Sequence, residues 1–158
     1  MSKTIVVYYS AQGHSKKIAE KIAELKGADI FAIEPAEAYS EDDLNYMSDD
    51  SRVTKEFKDA SLRDVELVSS EVPGWADYDT VILCYPTWYA VAAWVVNSFV
   101  KKVDWSGKTV YPICISHSSP AGESGELLAN DANDGDWKEA FRFYQDASED
   151  EIKEWAEA

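Results

Sequence analysis

Residues 4–9, Thr-Ile-Val-Val-Tyr-Tyr, form a short, nearly unbroken β-branched and aromatic run that halts at Ser10-Ala11-Gln12-Gly13-His14-Ser15 before a helical pattern begins at 16–25. A strand with no polar alternation is covered on both faces, which places it inside a parallel sheet between helical layers. Where such a strand ends in a loop of hydroxyls and glycine and restarts as a helix, the first helical amides stay unpaired at the carboxyl edge of the sheet. A phosphate there accepts their hydrogen bonds and meets the positive end of the helix dipole. These residues therefore predict an α/β fold and a phosphorylated ligand.

The rest of the chain repeats the strand–helix alternation. Ile18, Ile22 and Leu25 recur at helical spacing with Ala19 and Ala23 beside them, and Lys16, Lys17, Glu20, Lys21 and Glu24 fill the other face. Residues 29–33 read as a second strand reached by a right-handed crossover. Residues 35–71 are acidic and weakly patterned, with one short helix capped by Ser40 and another carrying Val53, Phe57 and Ala60. Residues 80–85 read as a third strand stopped by Pro86, and 91–103 as a largely buried helix ending at Lys101 and Lys102, cations suited to a helix C-terminus. A fourth strand spans 109–116, a helical stretch 124–129, and a last strand 138–144. Ser148-Glu149-Asp150-Glu151 has the form of a capping box opening a final helix with Ile152, Trp155 and Ala156 inward. The pattern predicts one three-layer α/β domain over residues 1–158.

Thirty acidic against fifteen basic residues leave a net charge of -15, which repels nucleic acid and anionic membranes and favours basic partners. No apolar run approaches the ~18 residues of a membrane span, and the N-terminus has no secretory pattern, so a soluble cytoplasmic protein is expected. Cys84 and Cys114 each lie inside an apolar strand, as expected of reduced thiols in a core. Six tryptophans, nine tyrosines and five phenylalanines exceed what so small a core requires, so some are expected to face a ligand.

Three loops follow core strands and so open on one sheet edge. The first offers Ser10, Ala11, Gln12, Gly13, His14 and Ser15: neutral donors that hold a phosphate through amide dipoles. It lacks the Gly-x-x-x-x-Gly-Lys-Ser/Thr pattern of a nucleoside triphosphate loop. The second, Pro86, Thr87, Trp88, Tyr89 and Ala90, supplies flat surfaces for stacking. The third, with Ser116, His117, Ser118, Ser119 and Gly122, supplies hydroxyls and backbone to read the polar edge of a ring. A phosphate cradle, a stacking platform and a polar clamp together describe a flavin mononucleotide (FMN) site. His117 is expected beside the pyrimidine edge of that flavin. No ligands complete a zinc site around His14 and His117, and no nucleophile elbow supports a Ser/His hydrolase. Cys84 and Cys114 are set aside as phosphatase nucleophiles because Arg63 and Arg142 are distant from both in sequence.

Taken together, these motifs resemble the flavodoxin family, in particular its short-chain flavodoxin-like members. The loop at 10–15 matches the family's phosphate loop, and Lys16-Lys17-Ile18-Ala19 looks like its helix start. Cys84-Tyr85-Pro86-Thr87-Trp88-Tyr89 resembles its second landmark, and Asp104-Trp105-Ser106-Gly107-Lys108-Thr109 its Asp-Phe-Ser-Gly-Lys-Thr turn. Two departures stand out: Ala90-Val91-Ala92-Ala93-Trp94 replaces the usual glycine and prolines, and Ser116-His117-Ser118-Ser119-Pro120 replaces the paired glycines. The resemblance implies a five-stranded parallel sheet of order 2-1-3-4-5 in an α/β/α sandwich, non-covalent FMN, and low-potential electron transfer by a monomer or weak dimer docking on basic redox partners. The other readings are an FMN-dependent NAD(P)H quinone or nitro-compound reductase, and an interaction module that has lost its cofactor.

Overall fold

A computed structural model describes residues 3–11, 13–88, 91–116 and 120–157. Strand β1 (Thr4–Tyr8) leads into helix α1 (His14–Lys26), and β2 (Asp29–Ala32) returns parallel to β1. After the short helix α2 (Arg52–Lys58) and two 3-10 turns, β3 (Thr80–Trp88) pairs parallel with the other flank of β1. Strand β4 (Val91–Ala92) folds back antiparallel on β3, then helix α3 (Trp94–Val100) leads to β5 (Thr109–Ser116), parallel to β3. Helix α4 (Ser124–Ala132), strands β6 (Asp136–Trp137) and β7 (Phe141–Tyr144), and helix α5 (Glu149–Glu157) complete the chain.

The sheet order is β2-β1-β3-β5, with β6 and β7 both parallel to the outer flank of β5. The expected parallel order is therefore kept, with its fifth position divided. Trp137 pairs with Val110 and Phe141 with Ile113, so Lys138, Glu139 and Ala140 oppose only Tyr111 and Pro112. Pro112 has no N–H to give the ladder, and the extra residue bulges there.

Alternation along the central strands feeds two cores. Val6, Ile82, Cys84, Ile113 and Ile115 face α1 and α5, meeting Ile18, Ile22 and Ile152. Ile5, Val7, Val81, Leu83 and Cys114 face the other layer, where Trp94, Val95, Phe99 and Leu128 cover them. Both cysteines are buried free thiols, as the sequence implied. No helix among the described residues is long and apolar enough to cross a membrane.

Four expectations need correction. Pro86 does not stop the third strand: β3 runs on to Trp88, because β1 pairing ends at Cys84 and the proline falls where one flank is already unpaired. The helix expected over 91–103 is shorter, since Val91 and Ala92 pair with Trp88 and Thr87 first. Ser40 caps no helix; Ser40 and Asp43 exchange side-chain-to-backbone bonds of 3.0 and 3.1 Å in a turn. The helix carrying Val53 and Phe57 is present, but it ends at Lys58, and Ala60 lies beyond it. The capping box also forms, Ser148 Oγ accepting the Glu151 N–H at 3.2 Å.

Two of the aromatic clusters lie at opposite ends of the sheet, and a third, of Phe141, Phe143 and Trp155, packs α5 onto β7. At the amino edge Trp75, Phe99, Trp105 and Trp137 form a chain, with Trp105 5.1 Å from Trp75 and 5.0 Å from Trp137. Lys108, buried there, donates to the Trp75 and Tyr78 carbonyls, and burial lowers its pKa. This cluster is structural; the second lies at the carboxyl edge.

Candidate functional site

The first loop leaves the carboxyl end of β1 and is locally determined. The Gly13 N–H donates to Ser10 Oγ at 2.9 Å, and Gly13 caps α1 with φ +92°, a conformation that glycine adopts without strain. The Gly13 carbonyl receives Lys17 N–H at 3.1 Å, leaving the amides of His14, Ser15 and Lys16 ahead of the first intrahelical bond. No acidic residue lies in this first turn and no side chain caps it. A Cβ placed on Gly13 would meet nothing within 4 Å, so the space above the loop is open. Because Ser10 Oγ accepts from Gly13, its own proton remains to be donated. Ser15 is buried under the turn, whereas His14 is exposed and Ser10 and Ala11 are half-buried. Gln12 lies outside the described residues.

The second loop is framed by a hairpin. Thr87 pairs with Ala92 and Trp88 with Val91, and the Ala93 N–H donates to the Pro86 carbonyl at 3.0 Å. Val91 and Ala92, in the segment that stands in place of the family's glycine and prolines, thus form β4. Pro86 and Thr87 are half-buried; Tyr89 and Ala90 lie outside the described residues.

Trp88 itself is 9% exposed and held by three rings: Tyr9 at 5.8 Å, Tyr39 at 4.8 Å and Trp94 at 4.9 Å. Each such contact is worth about 0.5–1.5 kcal/mol beyond burial. Behind them Glu56, 6% exposed, accepts from Tyr39 Oη at 2.6 Å, Trp94 Nε1 at 2.8 Å and Arg52 Nε at 3.2 Å. The Arg52 guanidinium lies 3.7 Å over the Tyr39 ring and donates to the Glu37 carbonyl. Burial raises the Tyr9 phenol's pKa, and burial followed by the Glu56 hydrogen bond raises that of Tyr39. The weakly patterned 35–71 segment thus supplies the wall behind Trp88, a role that no periodicity in it reveals.

The third loop leaves β5 at Ser116, which is buried and whose carbonyl accepts the Gln145 N–H at 2.9 Å. His117, Ser118 and Ser119 lie outside the described residues; Gly122 is exposed at φ +53°. Ser124 Oγ donates to the Ala121 carbonyl at 2.6 Å, so its 2.8 Å contact with Tyr85 Oη uses the tyrosine proton. Arg142, remote in sequence, is the register partner of Cys114 and donates from Nε to Ser116 Oγ at 2.9 Å. The Cys114 thiol is nonetheless pushed up to about 11 by burial, which outweighs the nearby guanidinium. It therefore stays a protonated core thiol, and burial raises Cys84 likewise.

All three loops start from neighbouring strands β1, β3 and β5 at one sheet edge, as the sequence required. A separate cleft of about 520 Å³ lies between α1 and the start of α5, lined by Lys17, Lys21, Gln145 and Ser148. It touches the first loop at Gly13 but takes no lining from the second or third, so it is distinct from the space these loops frame.

A family model described as Flavodoxin matches residues 3–158. A crystal structure of a protein designated a flavoprotein from Bacteroides uniformis is 30% identical, covers 99% of both chains and superposes with a TM-score of 0.91. Another from Bacteroides eggerthii is 32% identical over 99% of this chain and 97% of its own, with a TM-score of 0.87. The flavoprotein of Lactobacillus acidophilus in complex with FMN shares the fold at 17% identity, with 99% coverage of both chains and a TM-score of 0.63. No curated protein matches the chain.

Proposed function

This chain belongs to the flavodoxin family, and from that premise we propose that it holds FMN non-covalently and serves as a low-potential electron carrier. The observation that carries the reading is the cradle at the carboxyl end of β1: open space, a Gly13-capped helix start, and a first turn free of acid. That donor set fits a phosphate monoester held without a cation. His14, Ser15 and Lys16 contribute amides, and Ser10 a hydroxyl proton. Trp88 and Thr87 border the ring, and Ser116 with the loop after it meets its polar rim. Bound FMN would supply one- and two-electron chemistry, so the polypeptide's work is to bind, orient and tune it.

Net charge supports the low potential. Each unscreened carboxylate at about 10 Å in high dielectric opposes added negative charge by about 0.4 kcal/mol, and about 1.4 kcal/mol equals about 59 mV for one electron. With a formal charge of -15, basic proteins are the fitting redox partners. The two buried, unpaired thiols suit a reducing cytoplasmic setting.

The absorption spectrum of the purified protein, followed by titration with FMN and with riboflavin, tests the reading. A yellow protein that prefers FMN to riboflavin by 100-fold or more is expected. A colourless protein indifferent to excess FMN would refute cofactor binding, and a potential no lower than that of free FMN would refute the low-potential carrier. Steady-state turnover with nicotinamide cofactors and quinones would instead identify a reductase.

A further inference from the structure

Arg142 Nη2 is the one buried side-chain nitrogen or oxygen among the described residues that has no hydrogen-bond partner. The rest of this side chain is tightly placed. Its Nε donates to Ser116 Oγ at 2.9 Å, and its guanidinium lies 3.6 Å from the Tyr144 ring centroid. No ion pair among the described residues includes it, in a chain with twice as many acids as bases. A guanidinium presents a fixed fork of donors, so with Nε and the ring face occupied, the direction of Nη2 is set. A buried donor left unpaired is destabilising and calls for an acceptor.

The location says which acceptor. Ser116 and Tyr144 are the last paired residues of β5 and β7, so the guanidinium stands at the carboxyl edge beneath the departure of the third loop. We infer that Arg142 is a binding residue for the flavin: Nη2 donates to the carbonyl-bearing pyrimidine rim and favours the negative charge that gathers there on reduction. This rests on the FMN reading above. Oxidised FMN takes two electrons and one proton to become an anion, and a fixed cation at the rim stabilises that product more than the neutral oxidised ring. Arg142 thus opposes, locally, the low potential imposed by the surface carboxylates.

The test compares wild-type protein with R142M and R142K, measuring FMN dissociation constants by fluorescence quenching and the two-electron potential by dithionite titration. Dithionite supplies the electrons and solvent the proton. R142M is expected to fold, with a urea midpoint no lower than that of wild-type apoprotein by more than the loss of the Ser116 bond and Tyr144 contact allows. It should bind oxidised FMN about tenfold more weakly, and reduced FMN a further tenfold more weakly, lowering the potential by about 30 mV. R142K keeps the charge without the planar fork, so it should recover part of the potential and little of the oxidised affinity. Wild-type affinity and potential in R142M would overturn the inference and leave the FMN site standing. Should R142M not fold, a wild-type potential and affinity in R142K would overturn it equally. Failure of the wild-type protein itself to bind FMN would remove both readings.

Discussion

The proposed phosphate end of the site is a contiguous loop and helix start around Ser10, Gly13 and Ser15, whereas the proposed ring end gathers Tyr9, Tyr39, Arg52, Glu56, Trp88 and Trp94 from separated stretches of chain. In the first, one backbone conformation at Gly13 and one Ser10 hydrogen bond orient the donors. In the second, the position of Trp88 depends on rings that depend in turn on a buried carboxylate. Local geometry survives loosening of the domain better than long-range packing does. Damage at the ring end should therefore appear as lost stability, and damage at the phosphate end as lost affinity.

The sharpest probe of that contrast is Trp88→Ala, which empties the centre of the aromatic cluster. It should reduce unfolding free energy by about 3–5 kcal/mol in urea melts of the apoprotein. A loss under about 1 kcal/mol would mean that the three surrounding rings do not depend on it.

Glu56→Ala comes next, at about 3 kcal/mol, because it strands the Arg52 guanidinium and the Tyr39 and Trp94 donors together. Near-UV circular dichroism should change with it, as Trp88 loses its fixed neighbours. Were affinity for FMN to fall without any change in stability, the division between the two ends would be wrong.

Gly13→Ala imposes a side chain on a φ of +92°. A stability loss of about 1–2 kcal/mol is expected, with the aromatic circular dichroism unchanged and FMN affinity reduced more than riboflavin affinity. Equal losses for both ligands would show that the loop does not read the phosphate.

The smallest effect is alkaline. Tyr39 and Tyr9 hold their protons above the ordinary phenol value of 10.0, chiefly through burial. Above pH 10 the unfolded chain therefore binds fewer protons than the folded one, and stability falls as pH rises. One phenol accounts for at most about 1.4 kcal/mol per pH unit. Y39F should flatten the decline in a series of melts from pH 9 to 11, and an unchanged slope would show that Tyr39 ionises freely in the folded protein. Residues 10–17 contain no phenol or thiol to add to it.

What was legible followed periodicity and local backbone chemistry. Unbroken apolar runs gave β1, β3 and β5, and the Ile18, Ile22 spacing gave α1. Pro86 misled because a proline's effect depends on whether its flank is paired, which no local window contains. The division of the last strand was hidden for a similar reason, since Pro112 acts on a neighbour 26 or more residues later in the chain. Arg142 is distant from both cysteines in sequence, yet a parallel ladder places it opposite Cys114.

The sequence by itself determined the parallel α/β layering and the cradle after β1, because both arise from contacts a few residues long and from which side chains avoid water. Only the tertiary structure decided what stands behind Trp88 and which cation meets Ser116 at the end of β5. Glu56, Tyr39 and Arg142 reach those places through pairings across strands and layers, and the energy of such pairings resides in two distant segments at once, so neither segment carries the signal alone.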